Sequence, residues 1–213
     1  VLSVASANVH LDNRDPTALE RWLNQAGPDV VVLHEISADY AVELARLQGY
    51  PYRKLVPSDD PFGVAVLSRY PFARAEVVSG EDGIQSIEAL INWGGQPVAL
   101  TTLHPMPPIS PRHHNDRNLK LRTLAKAAGA SSLPVIVVGD LNATPWSNAF
   151  SGLGHAGLLR ATGLKPTWPA IGLGWMGIPI DHVLVTPHWS VMGRQIGPNI
   201  GSDHLPVMVR IGL

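Results

Sequence analysis

The chain has 213 residues, no cysteine and a formal net charge of −1. This length supports one large domain with a substantial core and is too short for two ordinary domains. The absence of cysteine excludes disulfides, zinc–thiolate sites and cysteine nucleophiles. The near-neutral charge disfavours a protein that holds a polyanion through a broad basic face.

The first half of the chain alternates short strands with helices. One helix is expected to have Asp15 as its N-cap and Pro16 at its first position, because a carboxylate accepts free N–H groups there and proline has none to satisfy. Its apolar side is predicted to hold Leu19, Trp22 and Leu23. The other predicted elements are strands over 2–8, 30–33 and 63–68 and a helix over 38–47.

The second half of the chain predicts a hairpin, a long helix and three closing strands. Gly94 and Gly95 separate two strand-like runs, 87–93 and 98–103, as a two-residue hairpin turn would. The closing strands have no crossover helices between them, which favours two packed sheets with helices outside over a doubly wound parallel sheet. The remaining predicted elements are a helix over 115–128 with Leu119, Leu121, Leu124 and Ala128 available to the core, a strand over 135–138, a short helix over 147–153, a loop over 163–179, and strands over 182–185, 191–196 and 207–211.

Polar side chains lie at the ends of five apolar runs. A strand end is where a buried sheet meets solvent, so such groups can converge on one cleft without being buried in the core. A mixed set of carboxylates, amides and histidines is typical of a hard-cation and general acid/base centre. The set comprises Asn8, Glu35, Asp140 with Asn142, Asp181 with His182, and Asp203 with His204.

The segment Asp140-Leu141-Asn142 follows a four-residue aliphatic run. Strand alternation places Asp140 and Asn142 on one side and turns Leu141 toward the core. A carboxylate beside a carboxamide suits phosphate chemistry, because the first orients or deprotonates a nucleophile and the second donates to a phosphoryl oxygen. An Asx-turn at the strand end is the alternative interpretation, and it explains one of the two residues more easily than both.

The turn Gly201-Ser202-Asp203-His204 is the sharpest local signal. Here the carboxylate suits a metal and the imidazole suits a reacting phosphate, with Asp181 as the natural partner to fix the tautomer of His204. The alternative is an ordinary turn histidine. We interpret His182 as a structural strand histidine.

Other polar and aromatic residues carry weaker signals. His104 ends a predicted strand and is expected at the site. His113 and His114 are expected at a solvated helix start, where Arg112 or Arg117 could contact a substrate phosphate. The loop residues Trp168, Trp175 and Met176 either contact a base, an acyl chain or a partner, or fold back on the core.

The motifs GDLN and GSDH occur in this order, and together with SVASANVH they make the chain resemble the endonuclease/exonuclease/phosphatase superfamily over nearly its whole length. That group includes pancreatic deoxyribonuclease, exonuclease III-type abasic endonucleases, neutral sphingomyelinases and inositol polyphosphate 5-phosphatases. The stretch GDLNATPWS resembles a bacterial subgroup whose catalytic domain often follows membrane-spanning segments. The resemblance implies an α+β fold, a four-layer α/β/β/α sandwich of two packed mixed sheets flanked by helices.

The resemblance also implies a divalent-metal site for Mg²⁺ or Mn²⁺. Glu35 matches the main metal ligand, Asn8 lies alongside it, and Asp203 matches an additional metal or network carboxylate.

The same resemblance implies catalytic roles for five residues. Asp140 matches the carboxylate that activates the attacking water, and Asn142 the amide that holds the phosphate. His204 matches the essential histidine, Asp181 the carboxylate that orients it, and His104 a phosphate-binding histidine found in some members.

We therefore expect residues 1–213 to form a single catalytic domain that hydrolyses phosphate esters by metal-assisted, in-line attack of water. Two substrate classes remain possible. The aromatic loop and modest charge favour a lipid or inositol phosphate, and the alternative is DNA or RNA. A catalytically silent binding module is a further alternative, disfavoured because every expected position is occupied.

The chain shows no membrane-spanning run, and we expect a monomer. Because Val1 already stands in an apparent strand, we expect a bacterial product that begins upstream, with any signal or membrane tether preceding Val1.

Overall fold

A computed structural model describes residues 1–170 and 176–213 of the chain. Within these ranges the backbone alternates strands with three helices. In chain order the elements are β1 (Leu2–Asn8), α1 (Thr17–Ala26), β2 (Val30–His34), α2 (Ala38–Arg46), β3 (Tyr52–Val56), β4 (Val64–Ser68), β5 (Phe72–Ser79), β6 (Gln85–Trp93), β7 (Gln96–Thr102), α3 (Pro111–Gly129), β8 (Val135–Asp140), β9 (Leu159–Arg160), β10 (Asp181–Val185), β11 (Ser190–Ile196) and β12 (Val207–Gly212).

The strands form two six-stranded mixed sheets. The first has the order β11-β12-β1-β2-β4-β3 and the second β5-β6-β7-β8-β10-β9. The pairs β1–β2 and β7–β8 are parallel, and each sheet also contains antiparallel pairs. The β6–β7 hairpin turns at Gly94 and Gly95, both at positive φ, as predicted.

Alternation along each strand divides the apolar residues among three layers of packing. In β2, Val30 and Val32 join the cluster between the two sheets, whereas Val31 and Leu33 join the cluster under α1 and α2. In β8 the even-numbered residues again face the other sheet, and Val135 and Val137 pack toward α3. Helices therefore cover both outer faces, and the four-layer α/β/β/α sandwich is confirmed.

The first helix begins one residue later than predicted. It starts at Thr17, with Pro16 in the N-cap position and no side-chain cap on Pro16. The Asp15 carboxylate instead accepts a hydrogen bond from the Thr17 N–H at 2.9 Å, in a turn that precedes the helix. Its predicted apolar side is correct, since Leu19, Trp22 and Leu23 are buried.

The long helix is longer than predicted and one of its core assignments is wrong. It begins at Pro111, where the Ser110 hydroxyl accepts a hydrogen bond from the His113 N–H. Leu119 was expected to face the core but is 57% exposed. The buried face instead passes through Leu121, and Leu119 lies about 200° around the helix from it.

Four short elements differ from the expectations. Residues 147–153 form successive turns instead of a helix. Strands β3, β5 and β9 were not predicted; β3 and β5 lack fully buried residues and β9 has only two residues. All three lie at sheet edges, where a strand needs no continuous apolar run. In the described ranges, no helix is long and apolar enough to cross a membrane.

Candidate active site

The inward faces of several strands end in polar residues at the same end of the sandwich. In β1, Asn8 continues the inward positions that include Val4; in β8, Asp140 continues those that include Val138. In β10, Asp181 has the same parity as the inward Val183. The cleft is therefore built by extending the apolar layer between the sheets with polar side chains.

Glu35 and Asn8 contact each other directly. The Asn8 Nδ2 group donates to Glu35 Oε1 at 2.7 Å, and the Leu11 N–H donates to Glu35 Oε2 at 3.1 Å. Glu35 has a left-handed φ of 62°, which is uncommon for a residue with a side chain and often found at functional sites. This conformation aims Glu35 at Asn8 although Glu35 is one residue out of phase with the inward positions of β2.

The GDLN segment needs its glycine. A Cβ atom at Gly139 would stand 2.1 Å from the carbonyl oxygen of Leu103 and 2.6 Å from Nε2 of His34, and the φ of Gly139 is 154°. Leu141 is fully buried toward α3, as predicted. Asp140 Oδ1 accepts the N–H of Asn142 at 2.9 Å, so the Asx-turn and the functional placement coexist.

The backbone conformation of Asn142 and two hydrogen bonds fix its position. Its φ of 48° is left-handed, a conformation that asparagine tolerates. Its Nδ2 group donates to the Pro105 carbonyl at 3.0 Å, and its own carbonyl accepts from Arg117 Nη1 at 2.6 Å. One N–H of the Asn142 amide is therefore engaged within the protein, and the other is available to a ligand.

Arg117 is a buried cation behind this turn. Only 4% of it is exposed, and Nε and Nη2 both donate to Asn118 Oδ1. Its contact with the Asn142 carbonyl shows that it supports this turn and does not project into solvent. Arg112, by contrast, pairs with Asp116 on the surface of α3.

His204 and Asp181 form a buried pair. Asp181 Oδ2 lies 2.9 Å from Nδ1 of His204. Burial disfavours the protonated imidazole, but the carboxylates of Asp181, Asp140 and Asp203 outweigh it and raise the pKa of His204 from 6.5 to about 10. His204 is thus a protonated donor at neutral pH, with Nε2 directed toward Asp140.

Asp140 is the centre of the cluster. Its Oδ2 lies 3.6 Å from Nε2 of His204, 3.6 Å from Nε2 of His104 and 3.3 Å from Nδ2 of Asn8. Burial and the nearby charge of Asp181 raise the pKa of Asp140, and the two histidines oppose this shift. A carboxylate with a raised pKa is a stronger base than an exposed one.

Asp203 stands at the margin of this cluster. Its Oδ2 accepts the indole N–H of Trp168 at 2.9 Å, and the Trp168 ring lies 6.5 Å from the His204 ring. Trp168 is 38% exposed, so it lines the rim and is not folded into the core. Met176 is 68% exposed, and Trp175 lies outside the described residues.

His34 is a neighbour of the site that the sequence analysis missed. It is fully buried, and its ring lies 5.3 Å from that of His104. Among the residues that the structure describes, neither ring nitrogen of His34 has a hydrogen-bond partner. Burial, reinforced by His104 and His204, holds the pKa of His34 well below its usual value. Its position could have been found, because His34 continues the inward series of Val30 and Val32.

The remaining histidines are structural or peripheral. His182 is fully buried, with Nε2 2.9 Å from the Ala143 carbonyl and Nδ1 3.2 Å from the Thr162 hydroxyl. This geometry agrees with its interpretation as a structural histidine. His113 and His114 lie in the first turn of α3, where Nε2 of His114 lies 3.4 Å from Nδ2 of Asn118.

Cavity size alone would misplace the site. A cavity of about 710 Å³ lies where β1 begins, with Val1, Ser3, Trp22, Asp29 and Arg210 in its wall. The cluster described above lies where β1 ends, at Asn8. Convergent polar groups with shifted pKa values are the stronger indicator of function.

The donor set of the cluster fits a hard divalent cation. Ligand atoms of Asp140, Asp181 and His204 lie within 4.8 Å of one another. Two of these three residues offer carboxylate oxygens. Oδ1 of Asp181 is buried and has no hydrogen-bond partner within residues 1–170 and 176–213. Asn8 and Glu35 add oxygens beside Asp140, and an oxygen-rich set suits Mg²⁺ or Mn²⁺.

Fold and site together define a four-layer α/β sandwich protein with a carboxylate–amide–histidine centre at one end of its two packed sheets. The chain belongs to the endonuclease/exonuclease/phosphatase family, whose model matches residues 5–204. No curated protein matches the chain significantly.

Solved structures agree with this assignment. Humanized D. rerio TDP2 superposes with a TM-score of 0.81 at 20% identity, covering 100% of this chain and 99% of that one. The Neisseria 3′ phosphatase NExo, bound to a product DNA hairpin, superposes with a TM-score of 0.79 at 16% identity, and the match covers 100% of both chains. The Bacteroides thetaiotaomicron mannosyl-6-phosphatase Bt3783 superposes with a TM-score of 0.76 at 17% identity, and this match also covers 100% of both chains. At these identities the likeness shows the fold.

Proposed function

We propose that this protein is a divalent-metal-dependent hydrolase of phosphate esters, and that residues 1–213 form one catalytic domain. The proposal rests on a single observation. Side chains from both sheets meet around Asp140 Oδ2, where Asn8, His104 and His204 all lie within 3.6 Å. Family membership supports the same reaction class.

Glu35 and Asn8, with oxygen atoms of the neighbouring aspartates, would hold Mg²⁺ or Mn²⁺. Asp203 is a proposed additional ligand through the oxygen that Trp168 does not engage. When bound, the cation supplies neutralisation of a phosphoryl oxygen and stabilisation of the leaving oxygen.

The protein's own residues supply positioning and proton transfer. Asp140 orients the attacking water in line and accepts its proton, for which its raised pKa suits it. Protonated His204, held by Asp181, stabilises the negative charge that develops on the phosphoryl group. His104 and the free N–H of Asn142 donate to the same oxygens.

Replacement of the two central residues tests this chemistry. We expect Asp140→Asn and His204→Ala to lose on the order of 100-fold or more in kcat, with little change in KM. Asp116→Asn and His155→Ala, on exposed residues, are matched controls that should keep full activity. Activity within tenfold of the parent in either site variant, once turnover is shown to be chelator-sensitive, refutes the role of that residue.

For the substrate we favour a lipid, inositol or sugar phosphate over a nucleic acid. The net charge of −1 supplies no general attraction to a polyanion, and the exposed Trp168 at the rim suits a planar or apolar substituent. The likeness to a mannosyl-6-phosphatase is compatible with this choice.

Hydrolysis of DNA or RNA is the second candidate, and the likeness to a DNA-bound 3′ phosphatase favours it. A substrate panel with added Mg²⁺ or Mn²⁺ separates the two. It would contain plasmid, abasic duplex, single-stranded oligonucleotide, sphingomyelin, inositol phosphates and bis-p-nitrophenyl phosphate. A steep fall of kcat/KM with salt indicates a polyanionic substrate, whereas dependence on a lipid surface indicates a lipid. Failure to bind either cation at millimolar concentration would favour a silent binding module.

A further inference from the structure

A second cavity adjoins the candidate active site on the side of Asp181. Its volume is about 440 Å³, which is within the range of small-molecule sites. Its wall combines polar residues with apolar side chains from β11, β12 and the segment after β9. The wall residues that matter here are Gly163, Lys165, Thr167, Asp181 and Arg194.

Arg194 in the cavity wall and the nearby Arg160 both bind main-chain carbonyls of the segment after β9. Arg194 Nε donates to the Ala161 carbonyl at 2.7 Å. Arg160 Nη1 donates to the carbonyls of Thr162 at 2.8 Å and Gly163 at 2.6 Å. Main-chain carbonyls of three consecutive residues thus fix both heads in place. Burial, and to a smaller extent the charge of Arg194, lowers the pKa of Arg160.

No carboxylate of the described residues forms an ion pair with these cations. Across residues 1–170 and 176–213, Arg160, Lys165 and Arg194 take part in no ion pair. Asp181 also lies in the cavity wall, and its Oδ2 is engaged by Nδ1 of His204 at 2.9 Å. Lys165 and Arg194 are exposed, so solvent screens much of their repulsion, and both cations are accessible to a bound anion.

We propose that this cavity is a second anion-binding site, which takes a phosphate or carboxylate group borne on a compact ligand with an apolar part. Lys165 and Arg194 line the cavity and contact the anionic group, and Arg160 reinforces the positive potential. Leu164, Ile196 and Val207 supply the apolar wall. The anion is either a remote group of the substrate or a separate small molecule, and both share this recognition chemistry.

Binding is tested without turnover. The protein in EDTA is melted with and without pyrophosphate, at ionic strength matched with chloride. We expect tenfold excess over Kd to raise Tm by about 3 °C or more in the parent. The shift should fall to half or less in Lys165→Met and in Arg194→Met, while Arg122→Met, on an exposed arginine outside the cavity, keeps it. Equal shifts in all four proteins, or no shift in the parent, overturn the proposal.

Kinetic measurements then separate the two sources of the anion. The kinetic test rests on the proposed function, whereas the melting experiment does not. An inositol monophosphate is compared with an inositol bisphosphate. If the anion belongs to the substrate, Arg194→Met raises KM for the bisphosphate about tenfold and leaves the monophosphate unchanged. If KM is unchanged for both while the pyrophosphate shift still depends on Arg194, the site serves a separate anion.

Discussion

Asp140 and Asp181 are direct partners across the antiparallel β8–β10 pair, and their carboxylates contact opposite nitrogens of one imidazole. Asp181 Oδ2 lies 2.9 Å from Nδ1 of His204, and Asp140 Oδ2 lies 3.6 Å from its Nε2. Two like charges on adjacent strands are unfavourable unless a cation lies between them. The protonated histidine is therefore part of what makes this pair of aspartates compatible with burial.

Asp181→Asn should make catalysis sensitive to mildly alkaline pH. The pKa of His204 is about 10, so in the parent its protonated form persists at neutral pH and is lost only as pH rises through about 10. Without the Asp181 charge the pKa falls toward its ordinary value of 6.5. For each pH unit above the pKa of the variant, the protonated fraction of the imidazole falls about tenfold, so kcat of the variant should fall about tenfold per unit there.

The measurement is a pH–rate profile of both proteins between pH 6 and 9. In this range the titration of His204 should not change kcat of the parent, whereas kcat of the variant should decline steadily as pH rises. Parallel profiles for parent and variant would contradict the assignment of His204 as the protonated donor.

Glu35→Gln should weaken metal binding more than it weakens folding. The amide keeps the size of the side chain but removes a charge from the oxygen set, and divalent-cation affinity follows the count of charged ligands. We expect the Kd for Mg²⁺ to rise about tenfold or more, measured by calorimetry and by the Mg²⁺ dependence of rate. Glu81→Gln, on an exposed glutamate, is the control; an unchanged Kd in Glu35→Gln would remove Glu35 from the metal site.

Arg117→Met should reduce kcat about tenfold, because loss of the hydrogen bond to the Asn142 carbonyl frees the turn that aims the Asn142 amide. Arg117→Lys should recover part of the rate. Arg122→Met is the matched exposed control. If Arg117→Met lowers Tm but leaves kcat at the parental value, Arg117 serves stability alone.

Gly139→Ala should destabilise the fold far more than Gly95→Ala. Both glycines have positive φ, but a Cβ at Gly139 would collide with the Leu103 carbonyl, whereas one at Gly95 meets open space. We expect a loss of about 3 kcal/mol or more at Gly139 and about 1 kcal/mol at Gly95. Urea denaturation of the two variants measures the difference, and equal losses would show that backbone conformation alone explains the requirement for glycine.

Much of the architecture follows from local patterns. The aliphatic runs at 30–33 and 135–138 predicted buried strands because both faces of each strand are covered. The strands β3 and β5 escaped prediction because edge strands can remain partly exposed and carry no such run. Leu119 was misassigned because an apolar residue in a helix does not by itself identify the face that packs.

The sequence by itself determined which chemical groups are present and, through motif order, the family and the set of candidate residues. Strand alternation also predicted that Leu141 turns toward the core beside Asp140 and Asn142, and Leu141 is fully buried. Only the tertiary structure decided which of these groups touch, since Asp140 and Asn8 are 132 residues apart yet lie within 3.3 Å. The sequence anticipated Asp181 beside His204, but partnerships such as Arg117 with Asn142 and Trp168 with Asp203 depend on how the elements pack, which no local pattern encodes.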